Sequence, residues 1–306
     1  MNAEQAEILF LSALWSIAAA GLAWHCSILA HQISYVTLAD GRKQERNLPL
    51  LFRLLLPLTP NVEGLFKKRA FETVREKIRR RLISAGFEGL LSPAEFLSLR
   101  ILLPVVFGVF WILSVILAIR VAPAFLRKTA PALYIFGPLW LYMYPALWLS
   151  RSLKSRHSSM RRALPFVLDI LTLSVEAGMD FMTALQRHVE RKTVDPLGEE
   201  LIRVIREIQL GKTRREALRL LSWRVNMADL RSVVNALVQA DELGVSIGAI
   251  LRIQSDQIRQ RRFDRAEKLA NEAPVKMLFP LMFFIFPAVF FVLLGPVIYR
   301  MVLQGF

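Results

Sequence analysis

The chain has 306 residues, is 54% hydrophobic yet 21% charged, and carries a formal net charge of +15 with a mean hydropathy of +0.40. That length admits two modest domains, or one domain with several membrane spans. A single cysteine, Cys26, excludes both a disulfide framework and a cysteine-based zinc site. High apolar content beside abundant charge implies segregation along the chain, and the charge does gather in two blocks. Residues 34–98 hold 12 Lys/Arg against 7 Asp/Glu, and residues 150–276 hold 23 against 16. Such a basic balance suits nucleic acid, an anionic leaflet or an acidic protein; next to membrane spans, positive-inside bias is its plainest origin.

In chain order, the first apolar run is 8–30, preceded by Glu4 and Glu7 rather than basic residues, and too long for a cleavable signal peptide. Residues 1–33 are therefore expected to form an N-terminal transmembrane helix. The 34–98 block reads as a cytoplasmic basic helical segment. Within it, 48–58 (LPLLFRLLLPL) is too short to span and is expected to lie in the interface or pack on another helix. A basic helix ends near Gly86, and Ser92-Pro93-Ala94-Glu95 then carries an N-cap, a proline in the first turn and a reciprocal glutamate. A helix therefore starts at 92 and runs into a second span, 101–119. With a third, 130–149, it forms a transmembrane hairpin over 99–149. A fourth run, 277–299, has 23 residues without a charge and is long enough to cross the roughly 30 Å hydrocarbon core; 277–306 forms the C-terminal transmembrane helix. Four spans put both termini in the periplasm, and the 35 basic residues of the two blocks put those blocks in the cytoplasm. Arg120, Arg127 and Lys128 in the loop between spans two and three oppose that bias locally.

Block 150–276 divides into six helices. Helix one, about 158–177, stops at Gly178; Asp180 caps helix two; Asp195-Pro196 opens helix three, with Glu199 and Glu200 explained by dipole and solvation. Leu197, Leu201, Val204, Ile205 and Ile208 make a stripe at 3.6 spacing. Thr213 and Glu216 form a capping box for helix four, Asn226 is expected to cap helix five, and Ser246 to cap helix six. The expected fold is an all-α membrane protein: about four transmembrane helices plus one cytoplasmic antiparallel six-helix bundle.

Two polar sets stand out. Asp169, Thr172 and Glu176 form a thin polar line on an otherwise apolar helix, which must face water, a basic residue or a second subunit. Arg259, Arg261, Arg262 and Arg265 lie just before the last span, where they suit anionic lipid headgroups or an acidic partner. Chemistry of other kinds is not signalled. Gly211-Lys212-Thr213 lacks the upstream glycine of a phosphate loop, since position 206 is Arg, and follows a helix rather than a strand. The four histidines (25, 31, 157 and 188) have no metal-ligand spacing. No catalytic, cofactor-binding or metal-binding residues are expected. Nucleic acid is disfavoured because the arginines lack interleaved aromatics. Apart from His25 the apolar cores hold no ionisable group, which weighs against a transporter or channel, although Pro280, Pro287 and Pro296 would kink the last span.

The run LPFVLDILTLSVEAGMDFMTALQRHVE, the run DPLGEELIRVIREIQLGKTRREALRLLSWRV and the run DLRSVVNALVQADELGVSIGAILRIQSDQIRQRRFDRAEKLA resemble the type II secretion F domain. The continuation EAPVKMLFPLMFFIFPAVFFVLLGP resembles the TadC branch of the tight-adherence (Flp) pilus system, and RRLISAGFEGLLSPAEFLSLR gives weaker support. The resemblance implies a non-enzymatic platform in the bacterial inner membrane, touching a hexameric secretion ATPase and engaging pilin during extraction and assembly. Members commonly carry two such bundles, whereas block 34–98 is too short for a second. That departure implies a homo- or hetero-oligomer, pairing with itself or with a TadB-like paralogous platform. The family has no active-site residues to carry over.

Overall fold

The computed structural model describes residues 35–37, 43–45, 48–66, 68–121, 124–191 and 195–304. The expected first span, 8–30, with Cys26, lies outside the described residues. Strands β1 (Tyr35–Thr37) and β2 (Lys43–Glu45) pair antiparallel, Val36 opposite Gln44, so the first block is not helical throughout. The other regular elements among the described residues are helices: α1 (Leu50–Leu55), α2 (Thr59–Phe66), α3 (Glu72–Ala85), α4 (Pro93–Val121), α5 (Ala124–Glu176), α6 (Phe181–Arg191), α7 (Pro196–Gln209), α8 (Arg214–Val225), α9 (Ala228–Leu243), α10 (Ile247–Pro280) and α11 (Phe286–Gln304), with short 3₁₀ turns before α2 and α3. The protein is an all-α membrane protein with one minimal hairpin.

Most helix ends obey the local chemistry. The Ser92 hydroxyl accepts from the Glu95 N–H at 3.1 Å while the Glu95 carboxylate accepts from the Ser92 N–H at 2.7 Å, which starts α4. Asp195 accepts from the Gly198 N–H ahead of α7, and Thr213 and Glu216 close a reciprocal box ahead of α8. Two expectations are overturned: Ser246 stands at the N-cap position of α10 but its side chain makes no cap hydrogen bond, and Asn226 takes another role. Asn226 does not cap the helix that follows it; it ends α8 in the left-handed region (φ 50°), and Met227 begins α9 without a side-chain cap. Asn is among the few non-glycine residues that tolerate this conformation, so the residue type fits either role and backbone geometry decides.

Helix α5 is the principal difference from the sequence expectation. The third span and the first bundle helix are one continuous 53-residue helix, about 80 Å long at 1.5 Å per residue. The join Ser150–His157 contains neither Gly nor Pro, so nothing local stops the helix there. At the other end, α10, a five-residue π stretch (Leu281–Ile285) and α11 are also continuous, and the π stretch lies between Pro280 and Pro287. Proline removes a ladder donor, and the widened turn absorbs the mismatch without a break.

Three helical stretches are long and apolar enough to cross a membrane: Pro93–Ile116, Pro131–Glu176 and Ile247–Met301. The first two form a packed hairpin. Trp111 lies against Gly137, where a Cβ would clash with its indole, and its Nε1–H donates to the Leu133 carbonyl at 3.0 Å. An indole N–H in lipid needs such an acceptor. In contrast, the apolar window of the third stretch is wholly exposed.

Two cores flank the inner ends of the hairpin. One joins Phe52, Leu55, Ile78, Leu82, Phe87, Leu97, Leu103 and Leu149. Phe52 is fully buried and stacks edge-on against Trp148 at 4.9 Å, so the 48–58 segment packs on a helix, the second of the two placements anticipated for it. The other core is the bundle interior from Met160 to Ile258, including Leu185, Leu197, Leu221 and Leu251. Each such leucine contributes about 1.5–3 kcal/mol.

Helices α5 and α10 run antiparallel, with Val175 against Gly248 and Asp169 against Ser255 and Arg259. Continued at an equal rise per residue, that register sets Leu149 level with roughly residues 274–279.

Candidate functional site

The polar line on α5 meets a basic residue. Asp169 accepts from Arg259 at 2.6 Å and from the Ser255 hydroxyl, both on α10. Asp169 lies twenty residues beyond the apolar run. Burial pushes its carboxyl up, but the Ser255 and Arg259 hydrogen bonds outweigh that and hold it below the usual carboxylate range. Glu176 pairs with Arg252 at 3.4 Å, and the buried Thr172 hydroxyl donates back to the Leu168 carbonyl. The line thus zips α5 to α10 within one chain.

Three of the four juxtamembrane arginines are also engaged. Besides Arg259, Arg265 donates to both oxygens of Asp229 at 2.9 and 2.8 Å, and Arg261 lies 3.5 Å from the same carboxylate. Arg161 of α5 is a third guanidinium on Asp229, at 3.2 Å. Arg262 is exposed and has no ion-pair partner among the described residues. Asp229 is itself buried in the first turn of α9, where the helix dipole favours a carboxylate. Nothing in the residue spacing marked Asp229 as their shared partner.

A second ionic group contradicts the expectation that Glu199 and Glu200 are solvated at a helix end. Both are buried, and so are Arg156 and Arg224. Arg156 Nη1 donates to Glu199 at 2.7 Å and its Nη2 to Glu200 at 3.3 Å. Arg224 reaches the other Glu200 oxygen at 2.9 Å and Glu207 at 2.8 Å. Buried charge is tolerated only when paired and hydrogen-bonded in this way. A signal was available: Glu200 falls at three and four residues from Leu197 and Val204, on the inward stripe itself. Arg224 likewise lies three residues after Leu221 and immediately before Val225.

This cluster fastens the first block to the bundle. Gly86 ends α3 at φ 80°, and a Cβ there would meet the Arg156 guanidinium at 2.5 Å, so glycine both permits the turn and lets Arg156 pass. The Ser84 hydroxyl donates to the Arg224 carbonyl at 2.7 Å, and Arg203 bonds Glu88 at 2.6 Å. His157, whose pKa burial lowers, holds the Val225 carbonyl at 2.8 Å through Nε2. The four helices α3, α5, α7 and α8 meet here. No group of three or more metal-ligating side chains occurs among the described residues. One cleft beside α3, about 650 Å³ and lined by Glu63, Glu72, Arg75, Glu76, Arg79 and Ser92 among others, is an open groove.

Residues 167–295, from the last turns of α5 into α11, match the family model described as Type II secretion system (T2SS), protein F. This stretch is a type II secretion F domain. It takes in the α5–α10 zipper, Asp229 and its α10 arginines, and most of the last span, while Arg156 and the α4–α5 hairpin precede it. F domains mark platform-like membrane proteins of type II secretion and type IV pilus machines, which are generally non-catalytic. No curated protein and no solved structure matches the chain.

Proposed function

We propose that this F-domain protein is a non-enzymatic inner-membrane platform of a Tad (Flp) pilus machine. In this reading it couples a hexameric cytoplasmic secretion ATPase to the extraction and assembly of pilin. The observation that carries the reading is mechanical. The F domain includes two antiparallel helices, α5 and α10, that each continue without a break into an apolar run long enough to cross a membrane. A push or twist on the bundle is transmitted along helices rather than dissipated in loops. The proposed topology has four spans, with periplasmic termini and with blocks 34–98 and 150–276 in the cytoplasm. The last span makes no packing contact that buries it, which suits assembly with a second copy or a TadB-like paralogue. Arg262, the free member of its cluster, remains available to the ATPase or to anionic lipid.

Deleting the gene should abolish surface pili while pilin is still made and processed, as seen by electron microscopy and immunoblotting; piliated deletion cells would overturn the reading. The π stretch between Pro280 and Pro287 favours one other reading, a multi-pass transporter or channel with a mobile last span. Solute flux through proteoliposomes of the purified protein would support it, and sealed vesicles would count against it.

A further inference from the structure

The turn joining α8 to α9, Asn226–Met227, is ringed by basic side chains from four helices. Exposed Lys77 and Arg81 of α3 share with Asn226 a groove of about 580 Å³. Exposed Arg231 of α9 donates to the Asn226 side-chain oxygen. Arg161 of α5, with Arg261 and Arg265 of α10, closes the ring around Asp229 three residues further on.

The charge of this ring is unbalanced. Asp229 is the carboxylate inside it, and that side chain is buried with its two oxygens shared among three guanidiniums, each of which keeps 43–46% of its side chain exposed. One negative charge cannot neutralise three, and each guanidinium has N–H donors left over. Lys77 and Arg81 add two further cations that have no ion pair among the described residues. Glu72 and Glu76 also line the groove, beside Arg80, and Glu76 is already held by Arg79 and Arg80. On α10, Asp264 takes a hydrogen bond from Gln260.

Depth separates this ring from lipid. Arg161 lies twelve residues past Leu149 on a continuous helix, roughly 18 Å below the end of the apolar run. That exceeds the Debye length of about 8–10 Å at physiological salt, beyond which a leaflet's charge is largely screened. Exposed aromatics are sparse around it: Phe263 of α10 lies two residues from both Arg261 and Arg265, hence on the other side of that helix, and Trp223 of α8 is half exposed, whereas base binding uses a series of stacking platforms.

We propose that this ring, around Asn226 and Asp229, is the docking site for an acidic segment of a water-soluble protein partner, whose carboxylates bind the spare guanidinium and ammonium donors. The inference uses the topology of the platform reading but not the identity of the machine.

The test uses the full-length protein in phosphatidylcholine nanodiscs with a fluorescein-labelled deca-glutamate peptide as the probe. Binding should exceed that of a Gly-Ser peptide and weaken steeply between 50 and 200 mM salt. Lys77→Glu/Arg231→Glu, which leaves the Asp229 network and the cores untouched, should weaken it at least tenfold. Lys212→Glu/Arg219→Glu, at the opposite end of the bundle, should change it less than twofold. Peptide binding no better than Gly-Ser, or equal sensitivity to both double variants, would sink the proposal. So would single-stranded DNA of matched charge that displaces the peptide and binds more tightly, which would favour nucleic acid instead. Loss of peptide binding in cells that still need the gene for pili would remove this inference and leave the platform reading standing.

Discussion

The two ionic groups of the water-facing body solve opposite problems. Around Arg156 and Arg224, two guanidiniums and the carboxylates of Glu199 and Glu200 are packed out of water and bonded to one another, with partly buried Glu207 at the edge. Around Asp229, one buried carboxylate holds three half-exposed arginines that keep donors for the solvent side. The first arrangement has little left to offer a partner, and it ties the α3 segment to the bundle. The second leaves an excess of positive charge on the surface. Burial, rather than residue type, separates a joint from a contact surface.

Breaking the joint should have the largest effect. Arg156→Ala removes an ion-pair partner from buried Glu199 and leaves Glu200 with Arg224, and loss of a buried partner of this kind costs about 3–5 kcal/mol. Chemical denaturation of the bundle in nanodiscs would measure it, and a loss below about 1 kcal/mol would mean that water reaches the cluster. Gly86→Ala should come next. It forces a Cβ into the Arg156 guanidinium at a positive φ, for about 1–3 kcal/mol, and the effect should shrink in an Arg156→Ala background because the two share one contact.

Arg259→Ala belongs to the exposed class and should cost less than about 1 kcal/mol, a loss that salt screens. Its dependence on acid has a defined sign. Because Asp169 titrates below the ordinary carboxylate value when folded, the stability it contributes is present above that value and is lost as pH falls through the folded pKa. The difference between wild type and Arg259→Ala should therefore fade in acid, as thermal melts across a pH series would record. A difference that grows in acid would contradict the pairing.

Much of the architecture was readable along the chain. Local punctuation divided the bundle into its helices, a 3.6 stripe supported the third, and Gly178, Gly211 and Gly244, all at positive φ, marked turns between them. Apolar length marked the three helical stretches long enough to cross a membrane among the described residues. The single helix across 150–157 was missed because a run of basic residues after a span reads as a boundary, although charge alone does not end a helix. The buried Glu199–Glu200 pair was misread because acidic residues in a first turn normally face water, and only the approach of α5 and α8 removes the water.

The amino-acid order therefore determined what short-range physics controls: which segments are helical, where they are capped, and which are apolar enough for lipid. The tertiary structure decided what depends on neighbours distant in the chain. It paired Arg156 with Glu199 across 43 residues, Asp169 with Arg259 across 90, and gave Asp229 its guanidiniums from two other helices. A charge's role depends on how much water remains beside it, and that is set only when the helices pack.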